Sequence, residues 1–311
     1  MSVGSESSTA GSTVSVAAPH HKRLLSGSVF LNLRRRPAFC FAILALGALA
    51  LGALLAPWIS PFDPLKVVGP EFLWPFEDAK FPLGTDALGR DVYSGLLRGA
   101  GVSLFVGVTA TLIGLAIGVS IGAIAGYVGG WVDDIFVRMI EIFQTIPSFV
   151  LLVVIVAVVP PSTWTVVIGV ALVSWDSMAR LTRAEFRATR ELEYVMAAKS
   201  LGYSTPRIIV AEILPNALPT IVSAGSVMVA NAILMESALS FMGLGDPNAI
   251  SWGSMIGAGR EVLRTHWYIT AIPGTLIILT VFSLNILSDQ LTRVVNPRDV
   301  SKTKSDLEGQ I

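Results

Sequence analysis

The sequence predicts an all-α membrane protein of six transmembrane helices with both termini on the cytoplasmic side. Three observations carry that prediction. Hydrophobic residues make up 53% of the 311 residues and charged ones 14%, against about 25% charged in soluble domains, and mean hydropathy is +0.68. Apolar runs recur at about 38–59, 103–127, 136–159, 164–180, 217–239 and 268–288, near the ~20 residues that cross a hydrocarbon core. With the N-terminus inside, the inner segments 1–37, 126–138, 180–216 and 289–311 hold 16 of the 22 lysines and arginines, as the positive-inside bias requires.

Residues 1–28 are rich in Ser, Gly, Thr and Ala and are expected to be a disordered tail within a basic cytoplasmic segment, 1–37. Arg34-Arg35-Arg36 precede Pro37 and the first apolar run. That run exceeds the 7–15 residues of a signal-peptide core, so it reads as a span. Cys40 lies within it and reads as a small packing residue. His20-His21 in the tail, with His266 far away, form no metal-binding pattern.

An outer segment, 60–102, follows. Thr85 or Asp86 is placed to cap a short helix with Val92, Leu96 and Leu97 as its apolar stripe, lying along the outer interface or against the bundle. The second span carries Gly114, Gly118, Gly122 and Gly126. Glycines four apart share one face and let another helix approach closely, more readily inside the chain than across a dimer seam. At the start of span three, Asp134, Arg138 and Glu141 are spaced to meet on one face as an interfacial ion-pair cluster. Span four is the shortest, bounded by Pro160-Pro161 and Arg180, with Asp176 read as interfacial.

The cytoplasmic segment 183–216 separates spans four and five. Within Glu193–Asn216 the sequence predicts two short helices broken by a turn. Tyr194, Ala197, Ala198 and Leu201 fall at i, i+3, i+4 and i+7, on one helical face. Gly202 is placed to end that helix in a left-handed conformation. Thr205 offers an N-cap and Pro206 suits the first helical position, while Pro215 and Pro219 bracket the exit into span five. A solvated loop would leave Ile208, Ile209, Val210 and Ile213 exposed, so the element is expected to rest on a partner. In span five, Glu236 lies near the outer end with Asn231 inward of it; pore lining and inter-helix hydrogen bonding are both open for them. The outer loop 241–267 brings Trp252, Trp267 and Tyr268 to a headgroup-level aromatic belt. Residues 291–311 form the C-terminal cytoplasmic tail.

Catalytic and motor signatures are missing. There is no Gly-x-x-x-x-Gly-Lys-Ser/Thr loop, no Gly-x-Ser-x-Gly elbow and no His-Glu-x-x-His. Gly243-Leu-Gly245 follows no Rossmann strand. Net charge is zero, so nucleic acid is not an expected partner. No chain of acidic residues crosses the spans, which counts against an ion-driven secondary transporter.

Three motifs then resemble one family. They are Leu83-Gly-Thr-Asp-Ala-Leu-Gly-Arg-Asp-Val92 with Ser94; Met196-Ala-Ala-Lys-Ser-Leu-Gly202 with Ile213-Leu-Pro215-Asn216; and Ser240-Phe-Met-Gly-Leu-Gly245 with Trp252-Gly253, Pro273-Gly274, Asn285, Asp289 and Asn296-Pro-Arg298. The chain resembles the C-type permease subunits of dipeptide, oligopeptide and nickel ATP-binding-cassette importers, over about residues 35–298. Met196 stands where the loop motif usually has Glu, Ser288 replaces a common Gly, Asn296 a common Asp, and Gly101 stands where Arg is frequent.

The resemblance implies a type I importer permease fold, multi-pass in a bacterial inner membrane. It implies that the chain forms half of the pathway with a B-type permease. Two separate ATPase subunits would bind ATP and Mg, this chain binding no cofactor and holding no catalytic residue, and an extracytoplasmic binding protein would deliver cargo. Ala197, Ala198, Lys199, Gly202, Tyr203, Pro206, Arg207, Leu214 and Pro215 become the expected ATPase-coupling residues. Glu141, Asn231, Glu236, Gly114, Gly118 and Gly122 are expected along the pathway or in its packing, and Asp86, Arg90 and Asp91 mark the outer segment. Peptides are the expected cargo; nickel, glutathione, opines and oligosaccharides remain open.

Overall fold

The computed structural model describes residues 36–295. The expected disordered tail 1–28, the His20-His21 pair, Arg34-Arg35 and Asn296-Pro-Arg298 lie outside the described residues. Helices account for the membrane-spanning part, in chain order α1 (Pro37–Ile59), α2 (Val92–Val128), α3 (Gly130–Thr145), α4 (Ser148–Val158), α5 (Thr163–Thr189), α6 (Glu193–Ser200), α7 (Thr205–Phe241), α8 (Trp252–Gly259) and α9 (Tyr268–Val295). Five of them, α1, α2, α5, α7 and α9, are long and apolar enough to cross a membrane, and the bent pair α3–α4 supplies a sixth crossing.

Each boundary has a local cause. Pro37 opens α1, where its missing N–H costs nothing. Asp91 caps α2 by accepting from the Ser94 amide at 2.9 Å, and Ser162 caps α5 by accepting from the Thr165 amide at 3.1 Å. Between α3 and α4 the chain bends by 82°. Pro147 forces Ile146 out of the helical region, to φ −100° and ψ 127°, and brings no N–H to continue the ladder.

The third apolar run, expected as one span over 136–159, is therefore a broken one. Two further corrections concern length. The short helix expected near Val92 is the first turn and a half of α2, packed against the bundle through Val92 and Leu96 and capped by Asp91 rather than by Thr85 or Asp86. Asp86 accepts instead from the Leu88 and Arg90 amides, at 2.8 and 2.9 Å. The second helix of the cytoplasmic segment runs unbroken into span five as α7. Its Ile208–Ile213 stretch is wound as a π-helix, whose wider turn accommodates the missing N–H of Pro215.

The core is built on α2 and α5. Gly114, Gly118, Gly122 and Gly126 are buried against the carbonyls of Ala171, Trp175, Ala179 and Arg183, themselves four residues apart. Both series advance together, so the two helices run parallel at close approach. A Cβ on Gly118 would lie 2.6 Å from the Trp175 carbonyl, and one on Gly126 2.6 Å from that of Arg183. The ladder is thus an intramolecular seam, held by van der Waals contact where lipid offers no hydrophobic drive.

Leu152 and Val156 of α4, Val166 and Val170 of α5 and Leu239 of α7 fill one half of the core around Val106 and Ala110. α1 buries only Phe39, Ala42 and Ala56 and turns most of its length outward.

Candidate functional site

At the end of the bundle that the charge count places in the cytoplasm, α5 leaves the core at Arg190. Its guanidinium Nη1 donates to the Gly126 and Tyr127 carbonyls at 3.1 and 3.3 Å, satisfying the end of α2. α6 then crosses beneath. It buries Val195 and Ala198 against Phe186, Ile208, Ile213 and Ala217. This corrects the expected apolar face: Tyr194, Ala197 and Leu201 are exposed and only Ala198 points inward. Periodicity alone offered either set. Packing against Phe186 and Ile213 selects Val195.

α6 ends in a Schellman motif. The Gly202 amide donates to Lys199 at 3.0 Å and the Tyr203 amide to Ala198 at 3.1 Å, with Gly202 at φ +77°. No heavy atom lies within 4 Å of a Cβ built there, so backbone conformation alone demands glycine. Ser204, not Thr205, is the N-cap of α7, and Pro206 takes the second helical position.

Two cations brace the turn. The Arg207 guanidinium lies 4.0 Å from the Tyr203 ring and the Lys199 ammonium 5.2 Å from that of Tyr127. Asn216 donates to the Tyr194 hydroxyl at 3.0 Å. Burial and the nearby Glu212 carboxylate push that phenol above its ordinary pKa, so it stays protonated.

Lys199, Gly202, Pro206 and Arg207 are exposed with Ala197, while Tyr203, Leu214 and Pro215 are half-buried at the root. Apolar side chains around them face outward: Leu201 is 73% exposed, Val210 61% and Met196 55%. A rigid, braced turn presenting bare apolar surface can seat in another protein. Sequence reasoning missed Arg190 and Val195. An arginine just past the last turn of a helix was the available signal for the first, and an i, i+3 pair with Ala198 for the second.

The remaining candidates divide. Arg138 pairs with Glu141 at 3.0 Å, both well exposed, and Asp134 does not join them. The better-shielded pair is Asp133–Arg183, with Arg183 Nη2 2.7 Å from Asp133 Oδ2. Glu236 is 2% exposed and accepts from Ser103 and Ser240 at 3.1 and 2.7 Å, so it joins α2 to α7. Asn231 is exposed on α7. Asp176 is buried within α5 and accepts from Gln144 at 3.0 Å, rather than marking an interface.

The aromatic belt is also corrected, since Trp252 and Tyr268 are buried and only Trp267 is exposed. The indole of Trp252 donates to the Leu96 carbonyl at 3.1 Å. Ser288 shares hydroxyl contacts with Ser223 at 3.0 Å, and Gly101 faces open space. Asp91 is buried, with its Oδ2 held by Ser94, and Arg90 is half-buried beside it.

Known proteins share this architecture. A family model described as "Binding-protein-dependent transport system inner membrane component" matches residues 118–299. The di/tripeptide transport system permease protein DppC of Pseudomonas aeruginosa is 33% identical over 285 residues, 90% of this chain and 89% of its own. The dipeptide permease DppC of Bacillus subtilis is 36% identical over 249 residues, covering 79% and 77%. The oligopeptide permease OppC of the same organism is 32% identical over 274 residues, covering 86% and 88%. Among solved structures, a chain of the inward-facing MetNI methionine ABC transporter superposes with a TM-score of 0.52 at 16% identity, over 65% of this chain and 96% of that one. At that identity the likeness speaks to fold alone.

Proposed function

The chain belongs to the family of binding-protein-dependent transport system inner membrane components, and from that membership we propose that it is one permease of a bacterial peptide importer. In this reading it is a multi-pass inner-membrane subunit forming half of a translocation pathway. A second permease forms the other half, two ATPase subunits supply ATP and Mg chemistry, and an external binding protein delivers di- or oligopeptides. The named relatives, all peptide permeases, support the cargo.

The observation that carries the mechanism is the braced turn at Gly202. Its exposed Met196, Leu201 and Val210 would seat in a groove of an ATPase, burying apolar surface at about 25 cal/mol per Å². Force applied there has two stiff outlets. One is α7, continuous from Thr205 to Phe241. The other is Arg190, which grips the end of α2. Closure of the ATPases would thus rock α7 and α2 together and alternate access to the pathway. This chain's part is mechanical: it transmits displacement, and the hydrolytic groups belong to its partners.

Reconstitution tests the proposal. The two permeases and two ATPases in proteoliposomes, given the binding protein and a labelled dipeptide, are expected to take up peptide only with ATP. Uptake by this chain alone, driven by a proton or sodium gradient, would defeat it.

A further inference from the structure

Among the described residues two non-glycines hold a left-handed backbone, Phe72 at φ 58° and Phe76 at φ 67°. Bulky L residues rarely adopt that conformation, because the Cβ crowds the following carbonyl. Phe72 recovers the cost by packing: its ring stacks on His266 with centroids 4.3 Å apart. Phe76 has no such ring packing among the described residues. The residue is 83% exposed, its amide is held by the Pro82 carbonyl, and its ring has no aromatic neighbour among the described residues. Strain retained without internal packing is a mark of a functional surface.

The loop that carries Phe76 is preorganised. The Phe76 amide donates to the Pro82 carbonyl at 3.2 Å and the Phe81 amide to Asp78 at 2.9 Å. The Trp74 amide donates to Glu77 Oε2 at 2.8 Å. Lys80 is drawn back over the Phe62 and Phe81 rings, 5.5 Å from each centroid. Glu77 and Asp78, which follow Phe76 in the chain, are exposed, giving an aromatic tip with an acidic rim. At the root, the Tyr268 hydroxyl lies 2.6 and 2.7 Å from the Leu73 and Thr85 carbonyls. Thr85 also pairs with Asp91, the cap of α2. Pressure on the knob therefore reaches the first residue of α9 and the first turn of α2.

We propose that residues 74–80 are the docking knob for the importer's external binding protein, with Phe76 entering an apolar pocket rimmed by lysine and arginine. The charge count places the knob outside. Its acidic rim opposes phosphate headgroups, which disfavours the bilayer as occupant and favours a soluble protein of complementary charge. Rigid exposed aromatics seated in a pocket are the usual interface hot spots. The inference rests on the importer reading above and adds the surface through which loading is sensed.

The test uses the complete four-subunit complex in nanodiscs with the importer's purified peptide-binding protein. Binding-protein stimulation of the wild-type ATPase checks the importer reading first; its absence there would count against that reading and not against the knob. Phe76→Ala is expected to weaken docking at least tenfold, and Phe76→Trp to restore most of it. Glu77→Lys with Asp78→Lys is expected to slow association and flatten its salt dependence, leaving basal ATPase activity unchanged. Phe76→Gly separates docking from folding: it should match or raise the thermal midpoint of the complex while docking is lost. Unchanged docking by the Phe76→Ala complex overturns the proposal. So does loss of the second permease from that complex, which would make the knob a contact between permeases, or loss of docking only in anionic-lipid nanodiscs, which would make it a lipid contact.

Discussion

Arg183 closes on Asp133 with two nitrogens, its Nε and its Nη2, the latter 2.7 Å from Oδ2, and so ties α3 to the cytoplasmic end of α5. Fifty residues separate the pair, and Gly126 packs against the carbonyl of the same Arg183. One residue thus anchors both the glycine seam and the entry into the broken span. The side chains are 23% and 13% exposed, well shielded for an ion pair at a bundle end.

Removing one member should strand the other. Arg183→Ala is expected to destabilise by about 2 kcal/mol, the scale of a charged hydrogen bond lost in a shielded site. Arg183→Lys should lose less, keeping the charge but not the fork. Thermal unfolding in detergent or nanodiscs reads both, and an unchanged midpoint for Arg183→Ala would show the pair to be unimportant.

At Gly202 the φ of +77° and the empty space around a Cβ separate strain from clash. Gly202→Asn should keep most transport, since Asn tolerates the left-handed region, whereas Gly202→Val should cost about 1–2 kcal/mol or more locally and uncouple ATP hydrolysis from uptake. Membrane abundance should remain normal in both. Equal uptake by the Val and Asn variants would remove the turn from the coupling path.

The glycine seam gives a contrast within one helix. Gly118→Val meets the Trp175 carbonyl and the Met178 side chain and is expected to cost at least about 1–3 kcal/mol of overpacking, seen as loss of folded protein in the membrane. Gly101→Ala, on the same helix but facing open space, should stay within about 0.5 kcal/mol of wild type. Equal tolerance at both positions would contradict the seam.

Asp246 gives a pH dependence. Burial alone would raise its pKa, but hydrogen bonds from the Thr163 side chain and amide and from the Asn248 amide prevail and lower it. A depressed carboxylate stabilises above its unfolded pKa, about 3.9, and that contribution is lost as pH falls through the lower folded value. Asp246→Asn should therefore have a lower thermal midpoint than wild type at pH 7, and the gap should narrow below about pH 4. A gap independent of pH would mean that the charge contributes nothing.

Much of the architecture was legible because lipid imposes simple rules. Spans must be apolar and about 20 residues long, so their number and rough limits stood in the sequence. So did the left-handed turn at Gly202, which glycine between Leu201 and Tyr203 signals locally. The broken span was legible in principle, since Pro147 lies within an otherwise continuous run, yet a straight helix fits the same hydropathy. Tyr268 and Trp252 misled because aromatic residues near a span end suit a headgroup belt and a packed cap equally well.

What the sequence by itself determined is the class of molecule: a six-crossing helical bundle, basic at one end, with a glycine-hinged cytoplasmic element. Composition, period and charge are local sums, and such properties follow from them. The tertiary structure decided which face of each helix is inside. It chose Val195 over Tyr194, paired Asp133 with Arg183 while leaving Asp134 out of the Arg138–Glu141 pair, made Glu236 a bridge to Ser103, and matched Gly118 to the Trp175 carbonyl. Each of those choices depends on the shape of a neighbour distant in the chain, and a helical pattern with two acceptable faces is settled only when that neighbour is in place.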